Sequence, residues 1–479
     1  MHSSLMLKLL WLTPAGLLVV LFALFAGIGS LIGMAAIISV IALTFLIILG
    51  PRFLTILLLV GVPTVFVFPN TVLQNVPVLN TERLLFIGIV GLLLLPPIFK
   101  TGIRYRLIQP EKFGIAFLGV AVASYILAIV LGNFPPDPIQ DGYFFIQYIM
   151  GLSAFMIARR LEWHEKSVMQ LIDIMLVVGL FMSGQAFLQY FLGIDIFVPS
   201  FLEVPHADEG RVTGTFANAS EYGAVATCIL LLGIYRLGST RDALARFFVL
   251  IVLAAIGIAI ILSKTRAPWL AGIVAIGMVG IADSRVRLTL ISLATFGLSI
   301  GVALFPIFLD ITEFQERLTS LAPIAERLAI WVAAISMGIN NPILGIGFGP
   351  DAFSAALPQY AMDFFGISAN WVSGVGIPHN EFFHIFSLTG ILGIYLYLAI
   401  LVSITRLLLQ SYREKHDRSV IAGLLPLYSL AMLANLVVNS LFVDTGPFWY
   451  LVFFVFFFLG VSVSLVEKER SGSVVKNVN

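Results

Sequence analysis

The sequence predicts an all-α protein, a polytopic transmembrane helical bundle of about 12–14 spans with a long external loop that contains short helices. Three observations predict it. Of 479 residues, 59% are hydrophobic and 11% charged, with a mean hydropathy of +1.03, whereas water-soluble domains carry roughly 25% charged residues. The apolar residues gather into runs near the ~20 residues that a helix needs to cross the hydrocarbon core. The charges fall between the runs and alternate, basic connections with acidic or neutral ones. Dispersed basic residues and a net charge of +1 exclude a nucleic-acid-binding face. Cys228, the one cysteine, lies in an apolar run, which excludes an intrachain disulfide and a thiolate metal site.

The first run, Leu9 to Ile28, follows Lys8 and has small residues at Ala23 and Ala26, so it resembles a signal peptide. A second run, Leu31 to Leu49, follows almost at once, and the two read as a hairpin of spans. Further runs cover 53–68, 84–99, 113–132, 143–158, 168–192, 216–236, 246–263, 267–283, 287–309, 380–405, 420–442 and 447–466. Those starting at Phe53, Leu84, Tyr143 and Ala267 are short enough to be tilted or re-entrant.

Orientation follows from charge. Arg52, Lys100 to Lys112, Arg159 to Lys166, Arg236 to Arg246, Arg285 with Arg287, Arg406 to Arg418, and Lys468 to Lys476 mark alternate connections, which the positive-inside rule assigns to the cytoplasm. Both termini are then cytoplasmic. Asp137, Asp141, Asp195, Glu203, Asp310, Glu313, Glu316 and Asp444 mark the other side, which places residues 310–378 outside as a long loop. Residues 1–479 read as one integral membrane domain without an internal repeat. Within the loop, Leu318 to Met337 is mostly apolar and is expected to lie as a helix along the membrane surface.

Basic residues on the outer side depart from the rule. They are Arg83, Arg211, Lys264, Arg266, Arg317 and Arg327, with His206, His379 and His384. Arg83 and Arg317 read as interfacial anchors. Arg211 precedes Asn218 and Ser220, either of which can cap an inward-running helix. Lys264 and Arg266 flank Thr265, another capping residue, with Pro268 in the first turn. His379 precedes Asn380, a good cap for the next helix. A helix N-terminus presents free N–H groups and about half a positive charge, so each of these positions can bind an anion.

Guanidiniums pair bidentately with phosphate oxygens, so Arg211 and Arg266, with Lys264 or Arg327, are candidate ligands of a pyrophosphate. Arg327 can equally pair with Glu326 or Glu316. His379 is the candidate general base, because a helix N-terminus favours the neutral imidazole; its alternative is a hydrogen bond that only holds the loop. His206 and His384 read as structural. Gly345 to Gly349 lacks the Lys-Ser/Thr of a phosphate-cradling loop and reads as a tight turn. Asn435 and Asn439, one helical turn apart, are expected to join helices by hydrogen bonds.

Four motifs occur in order: Arg-x-x-Gly-x-Phe-x-Asn from Arg211 to Asn218, Ser-x-x-Arg from Ser263 to Arg266, Arg327 and Trp331 followed by Asn341-Pro342-Ile343-Leu344-Gly345-Ile346-Gly347, and His379-Asn380. Together with the long external loop, they resemble the O-antigen ligase and O-antigen polymerase superfamily of bacterial inner membranes, from Arg211 to the last spans. The resemblance implies an inverting, metal-independent glycosyltransferase at the periplasmic face, without a cofactor. Its donor would be a glycan on undecaprenyl pyrophosphate, and its acceptor a sugar hydroxyl on a glycan or on lipid A core. In that reading Arg211, Arg266 and His379 are catalytic, while Arg327, Lys264 and Asn380 bind substrate. Arg side chains and helix ends supply the charge that a metal would otherwise bring. The alternative is a lipid-linked oligosaccharide flippase or other multi-span transporter, which would place ionisable groups near the bilayer midplane on helices related by a repeat.

Overall fold

The structure is a computed structural model that describes residues 50–64, 81–94, 106–132, 137–194, 210–216, 218–309, 322–360, 377–414 and 420–476. Regular structure among the described residues is entirely α-helical. The helices are α1 (Gly50–Thr64), α2 (Thr81–Leu94), α3 (Gln109–Leu131), α4 (Pro138–Arg160), α5 (Glu165–Leu192), α6 (Ala219–Ser239) and α7 (Ala243–Leu262). They continue with α8 (Arg266–Ala282), α9 (Ser284–Leu309), α10 (Ala322–Asn340), α11 (Ala352–Tyr360), α12 (Glu381–Arg413), α13 (Val420–Ser440) and α14 (Trp449–Lys476). Eight of them, α3 to α7 and α12 to α14, contain stretches long and apolar enough to cross a membrane, and α1 and α8 are shorter apolar helices. The runs expected at Leu9 to Ile28 and Leu31 to Leu49 lie outside the described residues, as do His206 and Arg317.

The chain divides into two compact units, Met1–Leu59 with Thr81–Arg104, and Val60–Asn80 with Tyr105–Asn479. In the first, α2 lies against the start of α1, with Gly88 facing Leu54. Arg83, expected to be an interfacial anchor, is 4% exposed.

The second unit is organised around α14. This helix is apolar on every side, and Phe453, Phe454, Phe456, Phe457 and Phe458 are all buried, as befits a helix surrounded by others. Its most extensive neighbour is α4. Small residues allow the approach: a Cβ on Gly460 would stand 2.6 Å from the Phe155 carbonyl oxygen. Around this pair, α3 packs on α12, α8 on α13, and α6 on α7. The outward faces of α3 and α7 keep Ile115, Ile126, Val130, Phe247, Phe248 and Ile258 exposed, a surface suited to lipid. At the end of the bundle away from the 310–378 loop, Arg159 joins Glu111 at 2.6 Å and Glu467 at 3.0 Å, and Asp283 joins Arg285 at 2.7 Å.

The loop segment contains the expected apolar helix, partly buried. Its helix α10 does not lie apart from the bundle, because its apolar face packs along the start of α12. Trp331 meets Phe383, and Gly338 meets Phe386. The chain then turns back at Asn341 to Gly349, level with residues 387–391, and α11 returns so that Phe353 contacts His384. The turn is held by main-chain bonds. Ile346 N donates to Ser387 O at 2.9 Å, Gly347 N to Leu388 O at 3.2 Å, and Ile391 N to Pro342 O at 2.8 Å. These partners are free because α12 breaks at Gly390, where φ is 63° and ψ is −160°. The glycine-rich segment is therefore a turn that satisfies the backbone of a broken helix. Gly390→Ala should cost at least about 1–3 kcal/mol for the backbone conformation alone. Its Cβ would also stand 2.6 Å from Ile343 O, so thermal unfolding in detergent should show a clear loss of stability.

Candidate functional site

The site is built where α8, α10 and α12 start or pass at the loop-bearing end. Helix α12 begins at Asn380, whose Oδ1 accepts from Phe382 N and Phe383 N, both at 3.1 Å, while Nδ2 donates to Leu441 O at 3.0 Å. The residue is 3% exposed. Asn380, expected to touch substrate, has both ends of its amide engaged within the protein, at the start of α12 and on Leu441 O.

His379, just before the cap, has φ 54°, one of two non-glycine residues with positive φ among the described residues. Such a conformation persists only where the surroundings impose it. Trp331 Nε1 donates to Pro378 O at 3.0 Å, and the His379 amide donates to Asp444 Oδ2 at 2.7 Å. Pinned on both sides, the imidazole stays 39% exposed, and its Nδ1 lies 4.0 Å from Asp444 Oδ2. Burial, and after it the positive charge of Arg327, pull the His379 pKa below its ordinary value.

Lys264 is the other residue with positive φ, at 49°. It forms the turn between α7 and α8, where Ser263 N donates to Ala259 O and Lys264 N to Ile261 O. Thr265 occupies the cap position of α8 but does not cap with its side chain; its hydroxyl donates back to Ser263 O at 2.8 Å. Pro268 sits in the first turn, as expected. Arg266 is the first residue of α8 and lies close enough to Arg327 on α10 for its charge to lower the Arg327 pKa, second to burial; Asp444 opposes this. Arg266, Arg327, His379 and Asp444 thus share one electrostatic neighbourhood.

Arg211 belongs to an adjoining group. Val212 N donates to Leu262 O at 3.4 Å, which lays the 210–216 segment against the α7–α8 turn. Gln189 Oε1 accepts from Thr213 N at 3.0 Å and Gly214 N at 3.1 Å, holding that segment in place. Lys264 Nζ points the same way, 5.3 Å from the Tyr190 ring centre. Asn218 caps α6 by accepting from Ser220 N at 2.7 Å. The candidate cations therefore form two neighbouring groups, Arg211 with Lys264 and Arg266 with Arg327, joined through residues 262–266.

Below His379 lies a polar layer that the sequence reading did not assign to the site. Glu381 is wholly buried, and its Oε1 accepts from the Tyr148 hydroxyl at 2.9 Å and its Oε2 from Gly446 N at 2.8 Å. His384, also buried, has Nδ1 at 3.4 Å from Asp444 Oδ1. Donor atoms of Glu381, His384 and Asp444 gather within 4.8 Å of one another, but both Glu381 oxygens and one Asp444 oxygen already accept protein hydrogen bonds. The layer is a hydrogen-bonded network open only where Asp444 faces His384. Asn435 joins α13 to α6 through Ala224 O at 3.0 Å, as expected of an interhelical asparagine, whereas Asn439 bonds within its own helix to Asn435.

Residues 249–398 match a family model described as O-Antigen ligase. The match covers most of α7, all of α8 to α11 and the first half of α12, with Lys264, Arg266, Arg327, His379 and Asn380 inside it and Arg211 and Asp444 outside. No curated protein matches the chain. A membrane-embedded protein of this family implies a glycosyltransferase-type enzyme acting on lipid-linked glycans. Through residues 249–398, this chain is similar to the O-antigen ligase/polymerase superfamily.

Proposed function

We propose that the protein is an inverting glycosyltransferase that moves a glycan from undecaprenyl pyrophosphate to an acceptor sugar hydroxyl, at the periplasmic face of a bacterial inner membrane. The observation that carries this reading is the meeting of Arg266, Arg327 and His379 at one end of the bundle, beside the N-termini of α8 and α12. Two guanidiniums within reach of each other concentrate positive potential, and helix N-termini add to it. A diphosphate between them would gain as it leaves, because its negative charge grows as the sugar–oxygen bond breaks. Arg211 and Lys264 would extend the cationic surface along the donor. His379 turns Nδ1 toward Asp444, which leaves Nε2 to accept the proton of an incoming hydroxyl. Attack from the side opposite the diphosphate inverts the anomeric centre. The charge on the leaving group is met by protein cations, and no step needs a metal. An acceptor on lipid A core would make the protein a ligase, and one on another glycan chain a polymerase.

Purified protein in proteoliposomes, supplied with undecaprenyl-diphosphate glycan and each acceptor in turn, tests the reading. Glycosylated acceptor and free lipid diphosphate should appear together. Movement of the lipid-linked glycan across the bilayer with no new glycosidic bond would instead support the transporter.

The pH dependence follows from the lowered pKa of His379. A base must be neutral, so kcat/KM should fall as pH drops through the folded pKa, which lies below the ordinary value of about 6.5. Arg327→Gln removes one of the two causes of the lowering. Its acid limb should therefore move to higher pH, measured as kcat/KM against pH at saturating donor.

A further inference from the structure

Helix α10 carries Arg327 and Trp331 one turn apart on one face. Deeper in the bundle the helix is tied to α12 by Gly338 against Phe386 and by the turn at Asn341 to Gly349. At the outer end, where the cations gather, the tie is Trp331. Its Nε1 donates to Pro378 O at 3.0 Å, and its ring stands edge-on to that of Phe383, with centres 5.6 Å apart and planes at 63°. Pro378 O and His379 N belong to one peptide group, and that N–H donates to Asp444 Oδ2 at 2.7 Å. The peptide is thus gripped at both polar ends, one of them by α10. His379 follows it with φ 54°, a conformation that persists only where the surroundings impose it. On its other side Asn380, by capping α12, fixes the residue to that helix. The indole therefore meets the main chain at the joint between the helix that bears Arg327 and the helix that His379 precedes.

We infer that Trp331 is a positioning residue: its indole N–H, through the Pro378 carbonyl, fixes the spacing between the Arg327 guanidinium and the His379 imidazole. The inference rests on the reading of these two groups as the donor and acceptor halves of the transferase site. Inversion sets the base and the leaving-group cation on opposite sides of one carbon, so the span between them is part of the chemistry. A misplacement of about 1 Å can cost about 100-fold in rate.

The electrostatics of the site show the two halves within reach of each other. After burial, the charge of Arg327 is what lowers His379. The other charged or titratable groups facing His379 are Asp444, with Oδ2 4.0 Å from Nδ1, and His384 further along α12, while Arg266 on α8 faces Arg327. Trp331 carries no charge, so it acts on the imidazole by setting where Arg327 stands.

Carbethoxylation by diethyl pyrocarbonate reports the neutral fraction of His379, because the reagent attacks unprotonated imidazole and His384 is shielded by burial. Peptide mass spectrometry across about pH 4 to 8 gives the midpoint, and no substrate is needed. Trp331→Phe keeps a ring against Phe383 and deletes the N–H. Its midpoint should rise by about half a unit toward the ordinary value as Arg327 draws away, and kcat should fall by about 10-fold. In the Arg327→Gln background the same change should leave the midpoint unmoved, because the charge that Trp331 positions is gone. Phe383→Leu, which loosens the ring contact and spares the hydrogen bond, should keep the wild-type midpoint. An unmoved midpoint in folded Trp331→Phe overturns the inference, as does an equal rise with and without Arg327, or an equal rise in Phe383→Leu. If Trp331→Phe fails to fold, Trp331→3-benzothienylalanine, which keeps the fused rings with sulfur in place of N–H, is held to the same outcomes. A midpoint that moves only when Arg327 is present, in a protein that transfers no glycan, would keep the positioning and remove the transferase reading; transfer with an unmoved midpoint would do the reverse.

Discussion

Arg266→Ala is expected to lower glycan transfer by about 10²–10³-fold, the range for removing one well-placed donor from a developing anion. The reason is position. Arg266 opens α8 at that helix's donor-bearing end, and its charge reaches Arg327. The neighbouring cation does not replace it, because Lys264 is directed toward Tyr190 and the 210–216 segment. Arg266→Lys should recover only part of the loss, since an ammonium keeps the charge but not the two-pronged geometry. Donor affinity should fall along with kcat, measured by lipid-diphosphate binding and by product formation on protein shown to be inserted and folded. Full activity in both Arg266→Ala and Arg211→Ala would remove the diphosphate site.

His379→Ala is expected to cost about 10²–10⁴-fold in kcat, the usual worth of a general base, while leaving donor affinity intact. The imidazole acts on the acceptor and the guanidiniums act on the donor, so the two losses should separate. The variant should also lose the acid limb that wild type shows, because the group responsible has gone. A variant with wild-type kcat would leave His379 as the residue that only shapes the entry to α12, a role its backbone performs in any case.

The fold was legible because hydropathy periodicity and charge alternation are dense signals in a membrane chain; seven of the eight span-length helices match predicted runs to within a few residues, and α12 runs on to Arg413, past the predicted end at 405. Caps were legible for the same local reason, and Asn218 and Asn380 perform as read. Thr265 shows the limit. It has the right residue type in the right place, yet a hydroxyl one residue past a strained turn finds the Ser263 carbonyl first. The orientation of α10 was not legible, because an apolar helix in a loop has the same composition whether it lies on a membrane or against α12. Only the broken backbone at Gly390 and the turn that satisfies it decide the matter.

Within the site, Lys264, Arg266, Arg327 and His379 stood out as basic residues on the outer side, but their supporting layer did not. Asp444 served only as a marker of topology, a single acidic residue between two apolar runs. Its contact with His379 spans 65 residues of chain, and no spacing rule reaches that far. Gln189 was hidden likewise, although Gln185 and Gln189 one turn apart in an apolar helix are a signal that polar groups are wanted there.

The most direct test of a shared site with divided labour is a single-turnover measurement on protein preloaded with undecaprenyl-diphosphate glycan, comparing wild type, Arg266→Ala and His379→Ala. Wild type should bind the donor and, on addition of acceptor, yield a product of inverted anomeric configuration with one lipid diphosphate released per glycan. His379→Ala should load fully and transfer slowly, and Arg266→Ala should fail to load. Retained configuration, or equal loading and equal turnover in all three proteins, would contradict the account.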